Sequence, residues 1–329
     1  MPVAVTLCMT TFSADTHPAA DDAVFTEQLQ RHRRELHVHC YRMLGSFDEC
    51  EDLVQETFLR AWRGRASFAG RSSLRAWLYR IATNACLDAL DKRPRSALSG
   101  EVLWLQPYPD ELLDELAGSE DGADATVVDR ETIELAFLVA IQHLAPLPRA
   151  VLILRDVLDC SAKETADLLE TTVASVNSAL QRARAGMREH LPEQRLEWAP
   201  GSDPTAAERD LLDRYVACTE QADTRGLATV LHEDLRFSMP PQPGVWQGRE
   251  RCVQEWVSGG FGSDTFGAMR CVVTRANRQP AVACYVRRPG DDAYAPLALD
   301  VLRIQDGAVA EIITFGEEVF PAFGLPASM

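Results

Sequence analysis

The chain has 329 residues, 46% of them hydrophobic and 25% charged, and carries a formal net charge of -16 at pH 7. That length exceeds one ordinary hydrophobic core, so two or three domains are expected, and the composition excludes a disordered or fibrous chain. The acidity excludes sequence-blind binding to nucleic acid over the whole surface, because neutralising phosphates needs local positive charge. Any such binding has to use a basic face on one element.

No apolar run reaches bilayer length, and "MPVAVTLCMTTFSADTHPAADD" lacks a basic segment followed by a long apolar core, so no membrane partner and a cytoplasmic location are expected, with a disordered leader over 1–23. Nine cysteines are scattered without a CxxC pair, which suits a reducing compartment. The densest metal-like cluster is His37, His39 and Cys40, followed by Cys50. Residues two apart on a helix point to different faces, so this cluster reads as structural, and no metal or cofactor is assigned.

Helical periodicity begins with "FTEQLQRHRRELHVHCYRMLG", read as one helix stopped by Gly45. "SFDECEDLVQETFLRAWRG" restarts with acidic residues in the first turn, where the helix dipole favours them. A turn and a third helix, "LRAWLYRIATNACLDALDKR", follow, ended by Pro94, which makes 24–95 one helical unit. Residues 96–126 carry prolines, glycines and an acidic run and read as a linker with at most one short helix. Within it "WLQPYPDELLDEL" is too apolar for a spacer, so Trp104 and Leu105 are expected to dock.

A second helical unit spans 127–192. "APLP" splits its first two helices, Ser161 and Glu164 form a capping box, and Thr172 caps the last helix. A short turn before a basic helix is the helix-turn-helix arrangement. Val173, Val176 and Leu180 read as its core face, with Ser175, Asn177, Ser178, Gln181 and Arg182 outside. A further linker at 193–205 precedes an α+β unit over 206–329, with helices at "AAERDLLDRYVACTEQAD", "TRGLATVLHEDL" and "RERCVQEWVSGGF", then four strand-like runs, the last two joined by the hairpin signal "QDG".

"DECEDLVQETFLRAWRGRASFAGRSSLRAWLYRIATNACLDALDKR" resembles region 2 of an extracytoplasmic function (ECF, group 4) sigma factor of the sigma-70 family, and "LPRAVLILRDVLDCSAKETADLLETTVASVNSALQRAR" resembles region 4. The tail, through its helix and strand order, is similar to the SnoaL-like, NTF2-like cone fused to the SigG/SigJ-like subgroup. The resemblance implies a multidomain fold: two all-α sigma domains followed by an α+β cone. It also implies a non-enzymatic transcription-initiation factor whose partners are core RNA polymerase, through its β′ clamp helices and β flap, and promoter DNA.

Residue roles follow from that resemblance together with the chemistry. Asp52, Gln55, Glu56, Leu59 and Trp62 would face the polymerase, as carboxylates suited to a basic helical partner. Arg63, Arg65, Phe68, Arg71, Ser72, Ser73, Arg75, Trp77, Arg80, Asn84, Asp88 and Lys92 would meet the −10 element, arginines holding phosphates and aromatic faces stacking on unpaired bases. Trp77 is equally well read as core. Lys163, Thr172, Ser175, Asn177, Ser178, Gln181, Arg182 and Arg184 would take the −35 element in the major groove.

The chain departs from the general sigma pattern where Asn177 and Ala179 replace cations and Glu170 replaces the turn glycine, which predicts weaker phosphate contact. In the cone, His232, Asp234, Asp300 and Glu311 are the acid-base groups, none in a catalytic motif, so no catalytic residue is assigned. The tail is expected to regulate in cis by docking on region 2 and the linker, with an unknown small ligand of the cone as a further partner. The competing readings are an NTF2-like enzyme and a ligand-sensing helix-turn-helix regulator.

Overall fold

A computed structural model describes residues 18–68, 73–92, 105–117, 138, 141–190, 205–240, 242 and 244–329. Its N-terminal bundle comprises α1 (Pro18–Arg31), α2 (Arg33–Leu44), α3 (Phe47–Gly64) and α4 (Leu74–Lys92). The helix begins at Pro18, inside the stretch expected as disordered leader, and Asp22 pairs with Arg65 at 3.4 Å. The single helix expected up to Gly45 is two, divided at His32. Gly45 ends α2 in the left-handed conformation, φ 71°, where a Cβ would press on Leu105 and Gln142. Ser46 caps α3 by accepting the N–H of Glu49.

The linker contributes an ordered piece, 105–109 leading into α5 (Asp110–Ala117). Leu105, Tyr108 and Leu113 are buried with the bundle core, so this part of the expected linker is packed structure. Trp104 lies outside the described residues. The second helical unit holds α6 (Pro146–Leu152), which continues as a π turn through Val157, then α7 (Ala162–Leu168) and α8 (Val173–His190). The Ser161–Glu164 capping box fixes the start of α7.

The C-terminal unit opens with α9 (Ala206–Glu220), started by a second capping box between Thr205 and Glu208. α10 (Thr224–Val230) is shorter than expected, because the chain becomes strand at Leu231. There Leu231, Leu235 and Phe237 turn inward while Glu233, Asp234 and Arg236 stay exposed, a pattern nearer the strand period than the helical one. The strands are β1 (Leu231–Ser238), β2 (Val245–Gln247), β3 (Ala268–Ala276), β4 (Gln279–Arg287), β5 (Ala295–Gln305) and β6 (Ala308–Gly316), with α11 (Arg249–Ser258) after β2. They form one six-stranded sheet in the order β2-β1-β6-β5-β4-β3, antiparallel except for the parallel β1–β6 pair. Asp306 and Gly307, both at positive φ, make the hairpin turn that "QDG" signals.

Alternation along the strands gives the sheet two apolar faces. Val282, Cys284, Leu302 and Ile312 face inward with Leu211, Leu212 and Tyr215 of α9, and this is the interior of the cone. Ala281, Ala283, Tyr285, Leu299, Val301, Ile313 and Phe315 face the other way, and they belong to one apolar cluster that runs without a break into the helical bundle. The cone is thus built onto the helical units through its convex face.

Candidate nucleic-acid interface

Helices α7 and α8 form the helix-turn-helix. Thr172 accepts the N–H of Ser175, which fixes the start of α8. Val176, Ala179, Leu180, Ala183 and Met187 are buried, while Asn177, Ser178, Gln181, Arg182 and Arg188 are exposed and Ser175 half-buried. Val173, expected in the core, is 42% exposed, because the first residue of the helix projects beyond the packed face. Ala179 is an inward position, so its replacement of a cation takes no charge from the exposed face. Lys163 is exposed on α7. Arg184 is held by Asp156 through two bonds of 2.9 and 2.7 Å.

Glu170 sits in the turn at φ 51°, the left-handed region that a glycine would occupy freely. Its carboxylate pairs with Arg80 of α4, tying the turn to the N-terminal bundle. Arg149 of α6 makes the second tie. Fully buried, it donates to the Met43 carbonyl at the C-terminal end of α2, to the Gln142 carbonyl and side chain, and to the Leu144 carbonyl, at 2.5–3.0 Å. A cation there meets both unsatisfied carbonyls and the negative end of the helix dipole.

The cation-aromatic set in the bundle is partly committed to itself. Trp77 is half-buried at the edge of the core and stacks on Phe68, centroids 4.9 Å apart at 28°. Arg65 lies over the Trp62 ring at 4.3 Å, and Arg75 donates to Glu35 at 2.7 Å. Asp88 pairs with Arg60 at 3.3 Å. Arg63, Ser73 and Lys92 are exposed and Asn84 is half-buried, while Arg71 and Ser72 lie outside the described residues. On α3, Asp52 and Gln55 are exposed, Glu56 bonds Arg60, and Leu59 is 50% exposed on the same stripe. Trp62 is turned toward Phe25, centroids 6.1 Å apart.

The linker lies where the N-terminal bundle and the cone meet. Tyr41 donates to the Gln106 carbonyl at 2.6 Å, and the Gln106 amide bonds the Gly45 carbonyl at 2.8 Å. Tyr108 places its hydroxyl 3.0 Å from Nδ1 of His37. From the other side comes the tip of the β3–β4 hairpin, where Asn277 and Arg278 both have positive φ. Asn277 is fully buried, accepts the Tyr108 N–H at 2.8 Å and gives its own N–H to the Tyr108 carbonyl at 2.9 Å. Asp110 accepts the Arg278 N–H at 2.7 Å and Nε of Arg275 at 3.1 Å. Burial pushes the Asp110 carboxyl up, and these donors pull it back.

His37 and His39 are structural. Burial lowers the His37 imidazole to about 4, against the pull of the Glu51 carboxylate, and lowers His39 to about 3. His39 bonds the Thr83 hydroxyl at 2.9 Å. Among the described residues no group of three His, Cys, Asp or Glu side chains is placed to hold a metal ion, and no helix is long and apolar enough to cross a membrane.

The four acid-base groups of the cone are dispersed. His232 and Asp234 lie on β1, where the Asp234 N–H bonds the His232 ring, and Glu311 is tied to Arg303 at 3.0 Å. Asp300 alone is on the concave face, accepting from Tyr215 at 3.0 Å and Thr314 at 2.6 Å. Burial raises its pKa, and the donors oppose the rise.

Asn277, Arg278, Asp110, Arg149 and Tyr41 were not singled out in the sequence as functional. The linker signal is its apolar content, which predicts docking, and the polar "ANRQ" break between two strand-like runs marks a turn but not what the turn grips.

A family model of Sigma-70 region 2 matches residues 29–96, and one of Sigma-70 region 4 matches 134–187. The chain is 40% identical over 325 residues to ECF RNA polymerase sigma factor SigG of Mycobacterium tuberculosis (strain H37Rv), covering 93% of this chain and 85% of that protein. It is 30% identical over 183 residues to ECF RNA polymerase sigma factor SigW of Bacillus subtilis (strain 168), covering 52% of this chain and 90% of the relative. The crystal structure of the M. tuberculosis ECF sigma factor SigJ superimposes with a TM-score of 0.59 at 21% identity, covering 92% of this chain and 99% of that one, so the two share the fold of helical units followed by an α+β domain. With both sigma-70 regions in order and a relative this similar along nearly the whole chain, the protein belongs to the ECF RNA polymerase sigma factors.

Proposed function

We propose that this sigma factor reads the −10 element with the α4 face and the turn before it, reads the −35 element with α8, and is held inactive in cis by its own cone. In this reading the exposed side chains of α8 enter the major groove. The acidic α3 stripe around Leu59 docks on the β′ clamp helices, and the second helical unit reaches the β flap. The cone is a regulator without catalytic activity, and a small ligand in it acts only by preferring one arrangement of the domains.

The observation that carries the regulatory reading is the grip of Asn277 on the linker at Tyr108, which itself lies on α2 of region 2. In the same arrangement Arg80, expected at the −10 element, is engaged by Glu170 of the helix-turn-helix, so opening DNA and keeping this packing compete for one arginine. The enzyme reading is disfavoured by the dispersal of its candidate groups, since Asp300 has no second acid or base among them on its face.

The test is reconstituted transcription from a genomic fragment library with core RNA polymerase and the full chain or its Asn277→Gly variant. A point change is preferable to truncation because cone and helices share one apolar cluster. Discrete starts preceded by a shared two-element motif, more abundant with the variant, are the expected result. Equal output from both proteins would remove the cis-inhibition reading, and no polymerase binding by either would remove the assigned contacts.

A further inference from the structure

The cone contains a thiol pair that neither promoter nor polymerase binding uses. Cys271 on β3 and Cys284 on β4 are direct cross-strand partners, with sulfurs 3.7 Å apart. Positions along an antiparallel ladder alternate between hydrogen-bonded and non-hydrogen-bonded pairs. Cys271 gives its backbone N–H to the Glu220 carboxylate at 2.9 Å, away from β4, on the outer edge of the sheet. The pair therefore occupies the non-hydrogen-bonded site, where Cα atoms stand about 4.5 Å apart, inside the span that a disulfide accepts.

Access differs between the two sulfurs in a useful way. Cys271 is partly exposed and Cys284 is buried behind it. Cys40 and Cys86 of the bundle also adjoin, but both are fully buried and closed to a solvent oxidant.

We propose that Cys271 and Cys284 are a modification site that forms a reversible cross-strand disulfide with a peroxide-class oxidant. The Cys271 thiolate attacks one peroxide oxygen, the O–O bond breaks, and the leaving hydroxide takes up the thiol proton as water, leaving a sulfenic acid. The Cys284 sulfur then attacks the Cys271 sulfur: the S–S bond forms, the S–OH bond breaks, and the departing hydroxide leaves as water with the Cys284 proton. Two thiols are oxidised by two electrons and hydrogen peroxide is reduced to two waters. A small thiol reverses the bond by exchange.

The bond would brace the β3–β4 hairpin, whose tip carries the Asn277 and Arg278 grip on the linker. Oxidation then tightens the closed arrangement, a consequence that rests on the cis-inhibition reading, whereas the disulfide does not.

The experiment uses the reduced full chain treated with hydrogen peroxide, alkylated and digested with trypsin. The expected product is peptide 271–275 linked to peptide 279–287, lighter by two hydrogens than the separate peptides and split again by dithiothreitol. In Cys271→Ser the linked species is absent and Cys284 is alkylated, and in Cys284→Ser a sulfenic-acid probe labels Cys271. Recovery of the two peptides unlinked from oxidised wild type, alkylated or as sulfinic acids, overturns the site whatever the cone does to transcription. With the link formed, hydrogen exchange over 105–110 is expected to slow several-fold, and unchanged or faster exchange overturns the brace.

Discussion

Asn277 donates its side-chain amide to the hydroxyl of Tyr41 at 2.9 Å, joining the tip of a hairpin in the cone to the first helical unit across 236 residues of sequence. The same side chain accepts from Tyr108, so one asparagine satisfies a helix residue and the linker together. Its φ of 54° is open to asparagine or glycine at little cost and to alanine at about 1 kcal/mol more. Asn277→Gly is therefore expected to keep the turn and lose about 1–3 kcal/mol of docking, opening the linker about 5- to 150-fold. Asn277→Ala should weaken it further. Hydrogen exchange at 105–110 measures both, and protection equal to wild type in the glycine variant would refute the grip.

Glu170 combines a backbone cost with an ion pair, and the two separate by substitution. Glu170→Gly removes roughly 1 kcal/mol of left-handed strain and loses an exposed pair that contributes at most about 1 kcal/mol. Overall stability is expected to change by less than about 1 kcal/mol, while Arg80 becomes available and affinity for single-stranded −10 DNA rises. Glu170→Gln keeps the strain and also releases Arg80. A titration of fluorescent single-stranded DNA in which neither variant gains affinity would show that the pair does not compete with DNA.

These two residues also show how much of the molecule was legible beforehand. Periodicity and capping chemistry are local, so the helices, both starts at Ser161 and Thr172, and the inward set Val176 and Leu180 could be read directly. The departure at Glu170 was visible, but its partner Arg80 stands 90 residues away, and no local pattern encodes that distance. The apolar residues of "TRGLATVLHEDL" fit either period over so short a run, and pairing with β6 makes its second half a strand. The cone grip was legible only as apolar side chains in a linker that needed burial.

Arg149 is expected to be a stability hot spot. It satisfies carbonyls from α2 and from the turn before α6, and removing it leaves those acceptors buried and unpaired. Arg149→Met is expected to cost about 3–5 kcal/mol in urea unfolding, with region 4 exchanging before region 2. A loss below about 1 kcal/mol would mean that water replaces the guanidinium at no cost.

Acid should loosen the same region through two histidines. In the folded chain burial holds His37 near 4 and His39 near 3, below the ordinary value of 6.5, so between those values the unfolded chain binds more protons. Their contribution is complete above about pH 6.5 and is lost as pH falls toward 4 and then 3, several kcal/mol in total. Protonation of His37 also places a proton on both ring nitrogens, so that Nδ1 can only donate toward the Tyr108 hydroxyl, at the point where the linker rests on α2. His37→Gln is expected to flatten the fall in stability between about pH 6.5 and 4, measured by urea midpoints, and a curve as steep as wild type would assign the acid sensitivity elsewhere.

On α8 the exposed Arg182 and the Asp156-bound Arg184 are chemically alike and differently placed. A phosphate contact releases counterions, so Arg182→Ala should lower the slope of log affinity against log salt by about 1 for a −35 duplex. Arg184 has to leave its carboxylate before it can reach a phosphate, and Arg184→Ala is expected to change the slope by clearly less. Asp156→Ala then supplies the decisive comparison: freeing Arg184 should steepen the slope toward one additional contact. A slope that stays flat in that variant would show that Arg184 belongs to the fold of region 4 and not to its DNA surface.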